Sequence, residues 1–342
     1  MKNGRHLSEQ LSPAKNPAGF LKSLVPASTK NRVYLMIAVL AVIVFATLPA
    51  YVDVDNYFMY FLFICFTYIV ISQGWNLVGG YTGQISLGTH AFFALGGYTT
   101  ALIWIHNVTH TWYYFDPLVM ILSGVVPAIF ALIIGIPLLS RLRGDYFSFG
   151  TLAAAEVLRI VILRTTEFSG GAVGLRLPGS SFTGMALPYG TALALAVLAT
   201  LAVLVITRSR IGLALRAISE DETASASHGI NILRYKLLSF AISSFIIGIC
   251  GSLYAYYYFI VNPGSMMSLN LMFYPILICV LGGNGTILGP IIGAPVVAAL
   301  FTFGQNAVGQ IHPMLSGVLI ILVMKFLPTG LVGLKDRISP RR

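Results

Sequence analysis

Residues 57–78 read YFMYFLFICFTYIVISQGWNLV, a stretch with no Asp, Glu, Lys, Arg or His. An α-helix needs about 20 consecutive apolar residues to cross the hydrocarbon core of a bilayer. This run is long enough, and no charge pulls it back into water, so it predicts a membrane span. It ends on a glycine-rich sequence, GGYTGQISLG (79–88), and apolar sequence resumes behind it. The same alternation of apolar run and short break extends along the chain. Of 342 residues, 57% are hydrophobic and only 9% are Asp, Glu, Lys or Arg, against about 25% charged in an ordinary soluble domain. A water-soluble enzyme cannot hide that much apolar surface, and a disordered chain would be polar and charged. The expected class is an all-α polytopic membrane protein.

Hydropathy patterning places about ten transmembrane helices along the chain. They are Val33–Val52, Tyr57–Val78, Ile85–Ile105, Pro117–Ser140, Tyr146–Leu163, Pro188–Thr207, Leu237–Ile260, Leu269–Leu281, Thr286–Phe303 and Pro313–Leu327. Residues 1–32 form a basic tail, expected to be unstructured, and 335–342 form a second basic tail. Residues 33–334 make the membrane domain, with a long polar loop at 208–236. Orientation follows from the Lys/Arg bias of cytoplasmic loops. Of the 21 basic residues, all but Arg159, Arg164 and Arg176 fall on the side that carries both tails and the 208–236 loop. Both termini and that loop are therefore expected in the cytoplasm. Cys65, Cys250 and Cys279 lie inside apolar runs, where a thiol behaves as a small hydrophobe, and they make no disulfide framework.

Ionisable residues inside spans mark ion paths or structural pairs. Glu156 stands in the fifth span, with Arg159 at i, i+3 on the same helix face. The pairing reads first as a structural lock, because a proton relay would want a second carboxylate in another span. His106 and His110 have a helical metal-binding spacing but no third ligand near them, so no metal site is expected. No nucleotide-binding phosphate loop or catalytic constellation is present. If ATP is used, another chain binds it.

Two glycine-rich breaks, 79–88 and 282–290, carry no charge and interrupt apolar sequence. Irregular backbone at membrane depth is tolerated only where protein or a wet cavity satisfies it, and paired broken segments point to a solute path. Gly83, Gln84, Ser86, Gly88, Thr89 and His90 are the candidate path residues, a lining suited to a neutral or zwitterionic solute. The alternative is a tight inter-helix turn with a small packing face. The 208–236 loop places Glu220, Asp221 and Glu222 ahead of small residues and Gly229. A short helix capped by Ser219 and stopped by Gly229 fits it, and its small face could seat in a partner's groove.

Here the sequence resembles a known family, the LivM-type permease subunits of bacterial ABC importers for branched-chain amino acids. The matching stretches are NLVGGYTGQISLGTHAFFALGGYTTAL (76–102), RLRGDYFSFGTLAAAEVLRIV (141–161), GGAVGL (170–175), RSRIGLALRAISEDETASASHGINILRYKLLSFAISSFIIGICGSLYA (208–255), VLGGNGTILGPIIGA (280–294) and FLPTGLVG (326–333). The resemblance implies a bacterial inner (plasma) membrane protein that is not an enzyme and holds no cofactor of its own. It implies a second homologous permease, two cytoplasmic ATPase subunits that bind ATP and Mg, and a periplasmic substrate-binding protein. It also implies that Arg216, Glu220, Asp221, Glu222, Ala224, Ala226 and Gly229 form the segment that docks on the ATPase. Glu156 matches the family's fifth-span glutamate, whereas His90 departs from the pattern by standing on a position that is usually small. The expected function is the import of branched-chain or other neutral amino acids. An importer of urea or short amides is the nearest alternative, and a self-sufficient secondary carrier or channel is the alternative from another class.

Overall fold

A computed structural model of the protein describes residues 29–51, 57–106, 108, 116–142, 144–177, 184–308, 313–327 and 330–333. It divides into two units, Met1–Asp53 and Val54–Arg342. The first holds helix α1 (Thr29–Thr47) and one 3-10 turn, Leu48–Ala50. Pro49 in that turn has no N–H to donate back into a helix, so α1 stops before the predicted end at Val52, which lies outside the described residues. At its start α1 takes in Thr29–Arg32, which the sequence assigned to the polar tail. The rest of that tail, and the C-terminal tail at 335–342, lie outside the described residues.

The second unit runs α2 (Tyr57–Gly79), α3 (Thr89–Ile105), α4 (Pro117–Arg141), α5 (Asp145–Arg164), α6 (Thr166–Ser169), β1 (Leu175–Arg176), α7 (Ala186–Arg208), α8 (Arg210–Glu220), α9 (Glu222–Ser227), α10 (Ile232–Tyr258), β2 (Ile260–Val261), α11 (Pro263–Met266), α12 (Leu269–Gly282), α13 (Leu288–Val308) and α14 (Pro313–Phe326). The protein is a mostly helical polytopic membrane protein. Among the described residues six helical stretches are long and apolar enough to cross a membrane: α2, α4, α5, α7, α10 and Pro263–Gly282, which α11 and α12 make up with a break at Met267–Ser268. Val39–Ala50, Leu288–Thr302 and Gly317–Gly333 are shorter apolar helices, and α3 has 17 residues. Among the described residues a two-residue antiparallel ribbon, which the sequence did not announce, pairs Leu175 with Val261 and Arg176 with Ile260.

The core forms around α2 and α10. Apolar all round, α2 has no face to give to water, and it is buried along most of its length. It packs against α7, α10, α12 and α13, while α10 lies against α3 and α4. The α3–α10 contact is backbone against backbone. A Cβ at Gly96 would overlap the Gly248 carbonyl, and one at Gly251 would overlap the Phe93 carbonyl. Small residues allow this approach, and in lipid close van der Waals packing replaces the missing hydrophobic drive between helices. Thr100 adds a buried hydroxyl bond to Ser252 across the same seam, 2.7 Å long.

Two expectations are corrected at one end of this unit. The third span was expected to begin at Ile85, but helix α3 begins at Thr89. Residues 80–88 are held irregular because neighbours bind their backbone: Trp75 Nε1 donates to the Ser86 carbonyl at 2.9 Å, and the Leu87 amide donates to Thr151 Oγ1 at 3.0 Å. The polar 208–236 segment is not a loop. It folds into α8, α9 and the first turns of α10.

Candidate functional site

The α8–α9 segment rests on the first glycine-rich break. Ser209 caps α8 by accepting from the Ile211 amide at 3.2 Å, and α8 buries Gly212, Ala214, Leu215 and Ile218. Arg216 then lies over the ring of buried Tyr81, 5.5 Å from its centroid, a cation–π contact of about 0.5–2 kcal/mol. One turn on, Ser219 sits against Gly83. A Cβ at Gly83 would come to 2.8 Å from Ser219 Oγ, and φ there is +70°, so both space and backbone require glycine. Past the extended Asp221, at the start of α9, Glu222 accepts from Gln84 Nε2 at 3.3 Å. Residues 216, 219 and 222 thus touch Tyr81, Gly83 and Gln84 in order.

Glu222 also holds Lys236 of α10. The ammonium lies 2.5 Å from Glu222 Oε1, and the lysine side chain is 2% exposed. A buried ammonium needs a counter-charge, so Glu222 ties α9, α10 and the break to one another. The break is anchored from below as well: Thr82 Oγ1 donates to the Leu77 carbonyl at 2.9 Å and meets Ser239 Oγ of α10 at 3.2 Å.

Asp221, not Ser219, caps α9. Its carboxylate accepts from the Thr223 hydroxyl at 2.6 Å and from the amides of Thr223 and Ala224 at 2.7 and 3.0 Å. The Thr223 hydroxyl first, then those amides, holds the Asp221 carboxyl below the usual aspartate range. Ser219 could not fill this role because α8 runs through it to Glu220. At the far end Gly229 donates to the Ala226 carbonyl at 2.9 Å with φ +81° and open space around it. Ala224, Ala226 and Gly229 are exposed, while Ser225 is buried. The helix therefore presents a smooth small-residue face outward. Glu220 is exposed beside it.

The second break meets the first through Asn76. Its Oδ1 accepts from the Gly285 amide at 3.0 Å, and its Nδ2 donates to the Thr286 carbonyl at 2.8 Å. Gln73 adds a bond to the Ile287 carbonyl at 2.9 Å. Both breaks and the α8–α9 segment therefore share one end of the bundle.

The candidate path residues divide between neighbours. Gly83 and Gln84 meet α8 and α9. Ser86 is buried and its hydroxyl accepts from the Gly88 amide at 3.3 Å. Gly88 precedes α3 and lies close to the Thr151 carbonyl of α5. Thr89 and His90 open α3, fully buried. Along this stretch α5 runs beside the irregular backbone, with Ser148 Oγ donating to the Ile85 carbonyl at 2.7 Å. Glu156 and Arg159 pair on α5 at 3.5 Å, and His90 Nε2 lies 3.9 Å from the same carboxylate. The sequence reading missed Tyr81, Lys236 and Asn76, and it made Ser219 a helix cap where the structure sets it against Gly83. Lys236 carried a signal: a lysine at the mouth of an apolar run, 14 residues after an acidic cluster. His106 closes α3, His110 lies outside the described residues, and no group of three or more metal-binding side chains gathers among those described.

The sequence profile of the family described as branched-chain amino acid transport system / permease component matches residues 57–324. The chain belongs to that family. It is 28% identical to the high-affinity branched-chain amino acid transport system permease protein LivM of Salmonella typhimurium, over 92% of this chain and 78% of that one. It is 28% identical to the permease protein BraD of Pseudomonas aeruginosa, over 78% of this chain and 92% of that one. A shorter likeness, 32% over 40% of this chain and 44% of the other, joins it to the permease protein LivH of Salmonella typhimurium. No solved structure matches it. This LivM-like permease is a transport component, not an enzyme.

Proposed function

We propose that this chain is the permease subunit of an ATP-driven importer that carries branched-chain or other neutral amino acids into the cytoplasm. It crosses the bacterial inner membrane ten times, through α1–α5, α7, α10 and α12–α14, with both termini and the α8–α9 segment in the cytoplasm. A second homologous permease completes the membrane portion. Two ATPase subunits hold ATP and Mg, and an external binding protein delivers the solute. The observation that carries this reading is Glu222, which links the outward-facing α9 to buried Lys236 and to Gln84 of the break.

A push on the small face of α9 reaches three places through one carboxylate. It reaches α10 through Lys236, the break through Gln84, and α3 and α5 through the backbone that follows Gln84. The break is irregular, so its backbone can shift without unwinding a helix. A few kcal/mol at α9 shifts such a two-state packing by about 10²-fold or more. Gly83, Gln84, Ser86, Gly88, Thr89 and His90 then act as the moving wall of the solute path.

The test is uptake by the complete transporter in proteoliposomes. Labelled leucine uptake should be competed by valine and not by urea, and should require ATP. Urea as the effective competitor would replace the amino acid with an amide substrate. Gly229→Trp should insert in the membrane normally yet lose uptake and stimulation of ATP hydrolysis. Undiminished uptake and stimulation in that variant would remove α9 from the coupling.

A further inference from the structure

The Glu156–Arg159 pair is too loose to be a finished structural lock. Its atoms stand 3.5 Å apart, and the two side chains are 40% and 39% exposed. Arg159 Nε has no hydrogen-bond partner among the described residues. A pair built for stability closes to shorter, forked contacts of about 2.7–2.9 Å. The pair lies beyond the midpoint of α5, with Val157 and Ile160 exposed around it. Ionisable side chains at such depth face protein or water, not lipid.

A second observation points into the same place. His90 of α3 is completely buried, and neither of its ring nitrogens has a hydrogen-bond partner among the described residues. The Thr89 hydroxyl beside it is likewise without a partner among the described residues. A buried polar group without a partner is costly, so an imidazole held in this way needs a reason. Its Nε2 is aimed at Glu156, 3.9 Å from the carboxylate, a gap too long for a hydrogen bond.

We infer that Glu156, Arg159 and His90 form a subsite for the two charges of an amino-acid zwitterion on its way through the protein. This rests on the importer reading above and deepens it to the atoms the solute touches. The α-ammonium donates to Glu156 and, once that carboxylate swings aside to uncover the buried imidazole, to the acceptor nitrogen of His90. The α-carboxylate takes the guanidinium fork of Arg159, which fits a carboxylate with two parallel bonds. A ligand of zero net charge joins a pair of zero net charge, so no unbalanced charge is created at membrane depth. Ile160, one turn from Glu156 on the same face, offers apolar surface to an aliphatic side chain. A urea or short amide has no charge to place on either group, so the subsite also argues for the amino acid over the amide.

The experiment uses the complete transporter in proteoliposomes with labelled leucine. Glu156→Gln and Arg159→Gln should each lower leucine uptake per ATP hydrolysed by about tenfold or more, since each removes at least one charge-assisted hydrogen bond. Stimulation of ATP hydrolysis by the loaded binding protein should persist. The exchange variant E156R/R159E keeps an ion pair while moving the positive group next to His90, so it should assemble and hydrolyse ATP yet fail in uptake. Uptake at the wild-type ratio in either single variant or in the exchange variant overturns the subsite and leaves the importer reading standing. Parallel loss of assembly and ATP hydrolysis in all three assigns the pair to structure and also overturns it. A wild-type transporter that takes up no amino acid overturns both.

Discussion

Glu222 concentrates the energetics of the site in one side chain. It is the partner of an ammonium that is 2% exposed, and stripping a buried charge of its partner costs about 3–5 kcal/mol. Glu222→Ala should therefore destabilise the detergent-solubilised protein by about that much, read from its thermal unfolding. Adding Lys236→Met removes the stranded charge and should restore most of the stability, because an apolar side chain suits that site. Uptake should stay low in the double variant, since the link from α9 to the break is gone. Full recovery of uptake would mean that the carboxylate has no part in transmission. Gly83 sets a second residue-scale limit. Gly83→Ala meets Ser219 and a φ of +70°, and the left-handed conformation alone costs a non-glycine residue about 1–2 kcal/mol. Ser219→Ala should relieve the contact but leave that backbone cost in place.

Helix α9 is six residues long, too short to persist without help. Its help is the Asp221 cap, the Gly229 stop and the Glu222 anchor. Because the Asp221 carboxyl is held below its usual range in the folded segment, the cap stabilises α9 fully above the ordinary aspartate pKa of about 3.9. That stabilisation falls as pH drops through the lower folded value, since the unfolded segment then binds the proton first. Amide-exchange protection over Thr223–Gly229, taken relative to the unstructured rate at each pH, should be greatest at neutral pH and fall selectively in acid. Asp221→Asn keeps an acceptor oxygen and should flatten this pH dependence without abolishing the helix; a dependence unchanged in that variant would trace it to another group.

The α3–α10 seam makes a different element-scale demand. A Cβ at Gly96 strikes the Gly248 backbone, whereas a Cβ at Gly190 in α7 meets nothing within 4 Å among the described residues. Gly96→Ala should destabilise by about 1–3 kcal/mol or more, as overpacking does. Gly190→Ala should be neutral or slightly stabilising, since alanine is the better helix former by about 1 kcal/mol. Equal stability of the two variants in thermal unfolding would refute the close seam.

For the whole molecule the question is sidedness. The three native cysteines are buried, so added thiols report their own location. In right-side-out vesicles an impermeant thiol reagent should label His106→Cys and leave Ser227→Cys untouched, and permeabilisation should expose the second. The reverse pattern would turn the protein over and overturn the proposal that α9 docks on cytoplasmic ATPase subunits. The purified chain alone in liposomes should move no amino acid under an ion gradient.

The membrane class was legible in the sequence because its cause is local. Apolar runs such as Tyr57–Val78 cannot be hidden in water, whatever the rest of the chain does. The polar 208–236 segment stood out for the same reason, through the charges of Glu220, Asp221 and Glu222 and the turn demanded by Gly229. The motifs also sufficed to suggest the family that the profile match established. What they could not indicate was which side chains meet across the fold. Helix periodicity says nothing of rotation between helices, so the pairing of Glu222 with Lys236 and Gln84, the seat of Arg216 on Tyr81 and the approach of His90 to Glu156 were invisible. Local pattern also misplaced the cap of α9, because Ser219 is spent inside α8 once α8 packs its buried face. Composition and sequence determined that the chain lives in a membrane and where its polar segment emerges. Only tertiary packing decided that this segment sits on the glycine-rich break, because burial of Lys236 and the space left by Gly83 exist only when distant segments are brought together.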